Sequence, residues 1–460
     1  MARYRYCCRL RNLLLCVCTP FCCLLLFFTY AAVTISMSLN VVSSRPQVQV
    51  TNKPEKANNV ILPVIPATFW EHHSSAFWNQ LQRAVDYHFN PILYSESRNR
   101  SAIVHLGDSL LNKSFFEVTS MGHMKKKLEE LPPAMQKYVS HMQRRSYPVL
   151  IQPDRACGAK ARREDQTPFI LFAIKSSELN IKNRQAIRQT WGQVGWVQGQ
   201  KNSSNKEEEK VGGYVRRVFL LGKDNSQFSS PDLTELLKAE NRRYGDILQW
   251  DFEDTFFNLT LKDVLFWSWF SRNCGQTLFV FKGDDDVFVN TPKLISYLHG
   301  ELKKPHAQTT MKEFMIGDVI GNAMPIRGET SKYFVPDSFY KGIYPSYAGG
   351  GGVVYSGHLA RRLHHISKTV HLYPIDDVFV GMCMLRLNAL PIHHPAFLTF
   401  DFSEKDIEQP CLYHTILLVH KRSPEELLRL WAELKKTQTQ CRDVPLRAPV
   451  TKKISLEPPS

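Results

Sequence analysis

From Pro168 onward the chain alternates between short apolar, β-type runs and segments with helical period, and this alternation restricts the fold more than any other feature. "PFILFAIKS" reads as a buried strand by length and composition, and "NIKNRQAIRQTWGQ" as a helix. "VRRVFLLG", "PDLTELLKAENRRYG", "DILQWDF", "TFFNLTLKDVLFWSWFSRNCG" and "TLFVFKG" continue as strand, helix, strand, long apolar helix and strand. The pattern predicts an α/β domain whose mostly parallel sheet carries helices on both faces. Ligands of such sheets gather at the carboxyl ends of the strands, where Lys175, Asp251, Asp254 and Asp284–Asp286 fall. One charged, low-complexity interruption, residues 195–213, reads as a solvated surface insertion.

The last of these strands runs straight into three adjacent carboxylates, in "FKGDDDVFVN". Like charges side by side repel, and each resists a low-dielectric interior. A solvated strand end is one reading. A calcium loop is another, but the EF-hand spacing is absent. A third is a Mg²⁺ or Mn²⁺ site holding a nucleotide diphosphate, because such an ion takes one or two protein carboxylates and fills its shell with phosphate and water. Alternation on an extended segment sends Asp284 and Asp286 to the same side. The strand pattern resumes at once in "VFVN", so the loop is short and held, which favours the metal reading.

The N-terminus carries Arg3, Arg5, Arg9 and Arg11, followed by an uncharged run from Leu13 to Ile35 that is long enough to span a bilayer. A cleaved signal peptide would have a shorter apolar core and a small-residue cleavage site. The positive-inside rule predicts residues 1–12 as a cytosolic tail, 13–35 as a signal anchor and the body across the membrane. Residues 36–60 read as a flexible stem, and the aromatic-rich 61–160 as an ordered extension packed on a catalytic body of 161–445. Residues 446–460 read as a disordered tail. Sequons at Asn99, Asn112, Asn202 and Asn258 fit a glycosylated, lumenal body. Beyond the anchor lie Cys157, Cys274, Cys383, Cys411 and Cys441, so at most two disulfides form within this part and one thiol is left over. The net charge of +15 is not gathered in one tract, which favours anionic ligands over nucleic acid.

Several ordered motifs make the chain resemble the inverting glycosyltransferases of family thirty-one, the β-1,3-galactosyl- and β-1,3-N-acetylglucosaminyltransferases. They are "RQAIRQTWG" (184–192), "RVFLLG" (217–222), "YGDILQWDFEDTFFNLTLK" (244–262), "FVFKGDDDVFVN" (279–290), "YPSYAGGGGVVYSG" (344–357) and "YPIDDVFVGMCM" (373–384). The resemblance implies a Rossmann-like GT-A fold, a Mn²⁺ or Mg²⁺ cofactor and a UDP-sugar donor. It implies Asp286 as the main carboxylate ligand of the metal, with His420 completing the shell, and Asp284 and Asp285 on the nucleotide. It implies a single-pass type II Golgi membrane enzyme, free to assemble with itself or with other glycosyltransferases, and no nucleic-acid partner.

The remaining motifs each carry two readings. Arg184, Arg188 and Trp191 share one helical face, as a diphosphate clamp or as helix-surface ion pairs with a packed Trp. The resemblance favours a role in shaping the donor site, beside Lys175, with Asp254 and Lys262 near the uridine. A glycan on Asn258 must then point away from the pocket. The glycine run 349–352 precedes a strand-like segment, so Gly350 and Gly351 read as a close-approach wall against the sugar rather than a hinge. Asp376 and Asp377 fall in the first turn of a predicted helix, where Asp commonly caps. An inverting transfer also needs one general base, and the resemblance makes Asp377 that base and Asp376 its structural neighbour. The expected reaction moves N-acetylglucosamine from UDP-GlcNAc to the 3-hydroxyl of a terminal β-galactose on glycoprotein or glycolipid acceptors. Galactosyl transfer from UDP-galactose is the alternative, although those relatives more often have Glu before the Asp-Val pair. A catalytically silent lectin-like protein would lack Asp286 or Asp377, and both are present.

Overall fold

The computed structural model describes residues 76–90, 93, 126, 128–153, 157, 167–200, 211–224, 231–402, 409 and 411–448. The expected tail, anchor and stem (1–60) and Asn99, Asn112 and Asn202 lie outside the described residues. No helix among the described residues is long and apolar enough to cross a membrane.

The centre is a nine-stranded sheet ordered β1-β5-β4-β2-β6-β9-β8-β10, with β3 paired to β4. The strands are β1 (Val149–Ile151), β2 (Ile170–Lys175), β3 (Gly195–Gln198), β4 (Gly212–Lys223), β5 (Ile247–Glu253), β6 (Phe279–Asp284), β8 (Met315–Ile320), β9 (Tyr347–Ser356) and β10 (Ile392–His393). β5, β4, β2 and β6 run parallel, as the strand–helix alternation predicts. The sheet as a whole is mixed, because β1, β3 and β9 pair antiparallel with their neighbours. The expectation of a mostly parallel sheet therefore fails outside its centre. β9 reaches its place through a connection without a crossover helix, so it returns in the opposite sense beside β6. Residues 195–198 and 212–213 also pair as strands, where a solvated insertion was expected.

Every residue of β2 is buried, as a central strand covered on both faces requires. Leu171 and Ala173 point into one core, and Ile170, Phe172 and Ile174 into the other. The first core is filled by α1 (Phe77–Phe89), α2 (Pro133–His141), α5 (Leu259–Asn273), α7 (Gly357–Ile366) and α8 (Asp376–Arg386). The second is filled by α3 (Ile181–Gln189), α4 (Pro231–Tyr244), α6 (Thr291–Leu302) and α9 (Pro424–Lys436). A small sheet, ordered β11 (Phe397–Leu398), β12 (Leu418–Val419), β7 (Phe288–Val289), sits directly after the three aspartates.

α1 lies against the body through Phe77 and Trp78, both buried, and the Trp78 indole donates to the Leu372 carbonyl at 3.0 Å. Deeper in, Asp86 receives a two-pronged contact from Arg386 on α8, at 2.7 and 2.6 Å. Gln82 and Asn90 donate to the same carboxylate, so the buried charge is fully bonded. Disulfides join Cys157 to Cys274 and Cys411 to Cys441, and Cys383 is a buried free thiol. Leu446 packs on the second core and the Arg447 amide bonds the Thr415 carbonyl, so the start of the expected disordered tail is part of the body.

Removing one partner of a fully buried pair strands the other charge, at a cost of about 3–5 kcal/mol. Asp86→Ala is therefore expected to lower the unfolding free energy by that amount in urea titrations. An unchanged midpoint would show that α1 does not brace α8.

Candidate active site

Lys175, the last residue of β2, is in register with Asp284, the last of β6. Parallel neighbours in register present side chains to the same face, so the ammonium and carboxylate meet, with Nζ 3.1 Å from Asp284 Oδ1. The same Nζ lies 2.5 Å from Oδ2 of Asp376, at the start of α8. Burial works against the Lys175 charge, but Asp284 and Asp376 outweigh it and hold the pKa well above its usual value. One cation thus ties two strand ends to a helix N-terminus.

The three aspartates separate by face. Asp284 and Asp286 turn to His420, whose Nε2 is 3.7 Å from Asp284 Oδ2 and 3.2 Å from Asp286 Oδ1. Asp285 turns the other way. It is buried and accepts from Asn180 at 3.0 and 3.3 Å, and burial raises its pKa to about 6 despite bonds from Ser176 and Asn180. The place expected for Asp285 on the nucleotide is corrected: its carboxylate anchors the loop before α3, and its neighbours face outward. β7 pairs antiparallel with β12, Phe288 opposite Val419, and the Arg422 amide bonds the Asp286 carbonyl. That pairing carries His420 across more than 130 residues of chain to the aspartates. Burial opposes protonation of His420, but Asp286 and Asp284 prevail and raise its pKa. Burial is likewise overcome at Asp286, whose pKa His420 lowers.

Ligand atoms of Asp284, Asp286 and His420 lie within 4.8 Å of one another. Two carboxylates and an imidazole, half-buried and open on one side, fit Mn²⁺ or Mg²⁺ with room left for phosphate oxygens. Gly351, at φ 69°, lies against this cluster, and a Cβ there would stand 2.9 Å from the His420 ring. Gly350 presents its amide to Asp377 Oδ2 at 2.9 Å, and a Cβ there would strike Thr399 at 2.6 Å. Both glycines therefore let backbone approach closely, Gly350 to Thr399 and Gly351 to the His420 ring.

α8 begins without a side-chain cap, since Ile375 is its N-cap residue. The expected capping role of Asp376 is corrected: its carboxylate serves Lys175. The pair splits in charge. Burial disfavours the Asp376 anion, but Lys175 and Lys282 outweigh it and lower its pKa. Burial and the Asp376 charge push half-buried Asp377 up to about 7. Two adjacent residues of one type thus become a permanent anion and a group that changes protonation near neutrality.

Arg184 and Arg188 are not at the open side of the site. Arg184 is fully buried and pairs with Glu240 at 2.9 Å, and Arg188 pairs with Glu240 at 2.6 Å and Asp246 at 2.7 Å. Their guanidinium groups are occupied, so direct contact with a diphosphate is excluded for both. Arg184 does reach the site indirectly, donating to Ser176 Oγ and the Ser177 carbonyl in the loop that holds Asp285. Trp191 is buried against Phe172 and Phe281. Lys262 and Asp254 pair at 2.9 Å, Lys262 also donates to the Ser176 carbonyl at 2.6 Å, and Asp254 accepts the Gly222 amide at 3.1 Å. They knit the ends of β2, β4 and β5 together. The Asn258 side-chain nitrogen, the atom that would carry a glycan, donates to the Glu253 carbonyl at 2.8 Å.

Sequence reasoning missed Asn180, Asp246, Glu240 and the buried pair of Lys282 with Asp263, 2.7 Å apart. Lys282 and Asp263 stand in quoted motifs, and a Lys inside a run of buried strand residues signals a buried acid partner.

Residues 182–395 match the Galactosyltransferase family. The chain is 42% identical over 391 residues to N-acetyllactosaminide beta-1,3-N-acetylglucosaminyltransferase 2 of Homo sapiens, covering 83% of this chain and 90% of that one. It is 40% identical over 311 residues to UDP-GlcNAc:betaGal beta-1,3-N-acetylglucosaminyltransferase 7 of Rattus norvegicus, covering 66% and 72%. It is 39% identical over 319 residues to N-acetyllactosaminide beta-1,3-N-acetylglucosaminyltransferase 4 of Homo sapiens, covering 69% and 76%. The chain belongs to this family, glycosyltransferase family thirty-one.

The shared cation yields a prediction. Lys175→Met leaves Asp376 buried beside Asp284 without its counter-ion and is expected to destabilise the fold by about 3–5 kcal/mol. The double variant Lys175→Met/Asp376→Asn should recover part of that loss, because the two sites are coupled. Additive effects in a denaturation cycle would contradict the pairing.

Proposed function

We propose that this protein is a type II Golgi membrane glycosyltransferase that transfers N-acetylglucosamine from UDP-GlcNAc to the 3-hydroxyl of a terminal β-galactose, with inversion. The observation that carries the reading is Lys175 Nζ, which joins Asp376, beside Asp377, to Asp284 of the carboxylate–imidazole cluster, at 2.5 and 3.1 Å. A base and a diphosphate site are thereby held at one fixed spacing. The names of the relatives support the donor and the acceptor sugar.

The Gly350 amide orients one oxygen of Asp377 and leaves the other edge for an acceptor hydroxyl. Asp377 takes that hydroxyl proton as the oxygen attacks the anomeric carbon of the donor, and the bond to UDP breaks on the opposite face. Asp376 stays anionic against Lys175, and its charge raises the basicity of Asp377 to suit neutral pH. Mn²⁺ or Mg²⁺ held by Asp284, Asp286 and His420 would supply charge neutralisation for the leaving diphosphate. Asp254, Lys262, Asp285 and Arg184 keep the strand ends in place around it.

Asp377→Asn keeps shape but cannot accept the proton. Its kcat is expected to fall by ~10²–10⁴ while calorimetric UDP binding stays unchanged. Because the base must be deprotonated, wild-type kcat/KM should rise with pH through about 7 and level off above it, and residual activity of the variant should lack that limb. If the variant is as active as the wild type, the base lies elsewhere.

Asp286→Asn replaces a charged ligand by a neutral amide. Mn²⁺ binding by titration calorimetry and turnover should both be weakened. Full wild-type turnover in excess chelator would rule out the metal. A screen of UDP-GlcNAc against UDP-galactose on lactose decides between the donors.

A further inference from the structure

A cavity of about 620 Å³ opens at the end of β5, and Asn258, the sequon asparagine just before α5, is part of its wall. Its size lies within the range of about 300–1,000 Å³ common for ligand pockets. None of Lys175, Asp254, Asp284, Asp286 or Asp377 lines it, so it is separate from the candidate active site.

The atom that would carry a glycan is at this wall. Nδ2 of Asn258 donates to the carbonyl of Glu253, at 2.8 Å, and Glu253 lines the same cavity. Thr260, the hydroxyl residue of the sequon, is buried and its Oγ1 donates to the Tyr373 carbonyl at 2.6 Å. This sequon can therefore be read only before the domain folds. In that step the amide nitrogen bonds the anomeric carbon of a lipid diphosphate-linked oligosaccharide, one proton leaves the nitrogen and the lipid diphosphate departs. One N–H remains, which is enough for the bond to Glu253.

The rest of the wall suits a sugar. Phe256, two residues before Asn258, is half-buried, stands edge-to-face with Tyr333 at 5.2 Å, and has Lys332 Nζ 5.3 Å over its ring. The Arg144 guanidinium lies 4.4 Å over Tyr147, and both residues line the cavity. Lys137 is paired with Glu253 at 2.5 Å, whereas neither Arg144 nor Lys332 has a carboxylate partner among the described residues. A pyranose ring lays its C–H face on an aromatic ring and offers hydroxyl and acetamide oxygens to cationic donors. Such contacts are individually weak, but a sugar tethered at the wall meets them at a high effective concentration, which a free saccharide does not.

We infer that this cavity is the seat of the chain's own N-glycan, whose first sugars leave Asn258 and lie against Phe256 and Lys332. The inference rests on the proposed lumenal topology and gives the glycan a structural role, bracing the junction of β5 and α5.

The test uses the full chain in detergent, made in mammalian cells restricted to oligomannose glycans. Mass spectrometry reads occupancy at each sequon, and endoglycosidase H, which cuts between the first two sugars, is applied before and after denaturation. The wild-type glycan on Asn258 should be cut about tenfold more slowly in the native protein, a factor that corresponds to about 1.4 kcal/mol of seating. Phe256→Ala should remove that protection. Arg144→Ala/Lys332→Ala should also remove it, and because it alters exposed side chains it keeps the test valid should Phe256→Ala fold poorly. Equal cutting of native and denatured wild type overturns the seat, as does protection that persists in both variants. An unmodified Asn258 in a chain glycosylated at another sequon overturns it too, while leaving the lumenal topology intact. A chain without glycan at any sequon sinks the topology and the seat with it.

Discussion

The site depends on one buried ammonium. Lys175 ends a fully buried strand, and nothing apolar could satisfy two carboxylates at that depth. Its position fixes three things at once: the end of β2, the direction of Asp284, and the start of α8. A charge in such a place is tolerable only when its partners surround it. The same condition recurs at Lys262 with Asp254, at Lys282 with Asp263, and at Arg386 with Asp86. The first two join consecutive elements, the end of β5 to α5 and α5 to β6, and the last joins α1 to α8 across 300 residues of chain.

Charge placement also explains how one dipeptide holds two different charge states. Asp376 is held against Lys175 and stays an anion. Asp377 has no cation within bonding distance among the described residues, only an amide from Gly350, and sits beside that anion. Proximity of like charges raises the second pKa, as desolvation does. The helix N-terminus alone would have lowered both. At Asp376 the cations of β2 and β6, Lys175 and Lys282, prevail, and at Asp377 burial and the Asp376 charge do.

Much of the centre could be read from local pattern. The run "TLFVFKGDDDVFVN" gave a strand, a short acidic turn and the alternation that puts Asp284 and Asp286 on one side, and the structure has all three. What could not be read was partnership. Arg184 and Arg188 share a helical face suited to phosphate, but Glu240 and Asp246 from α4 and the start of β5 claim them. Asp285 looked equivalent to its neighbours until Asn180 took it inward. The sense of β9 was hidden for a related reason: a glycine-rich strand reads the same in either direction. His420 could be named only through resemblance, because the antiparallel contact of β12 with β7 that delivers it leaves no trace in nearby sequence.

The central claim is that Asp377 is kept basic by the neighbouring Asp376 anion. Carboxyl ¹³C NMR of aspartate-labelled protein, titrated with pH in wild type and Asp376→Asn, tests it directly, with Asp377→Asn assigning the resonance. The account predicts a wild-type Asp377 midpoint near 7 and a fall toward the ordinary carboxylate range once the neighbouring charge is removed. A midpoint already in that range, or one unmoved by Asp376→Asn, would contradict it.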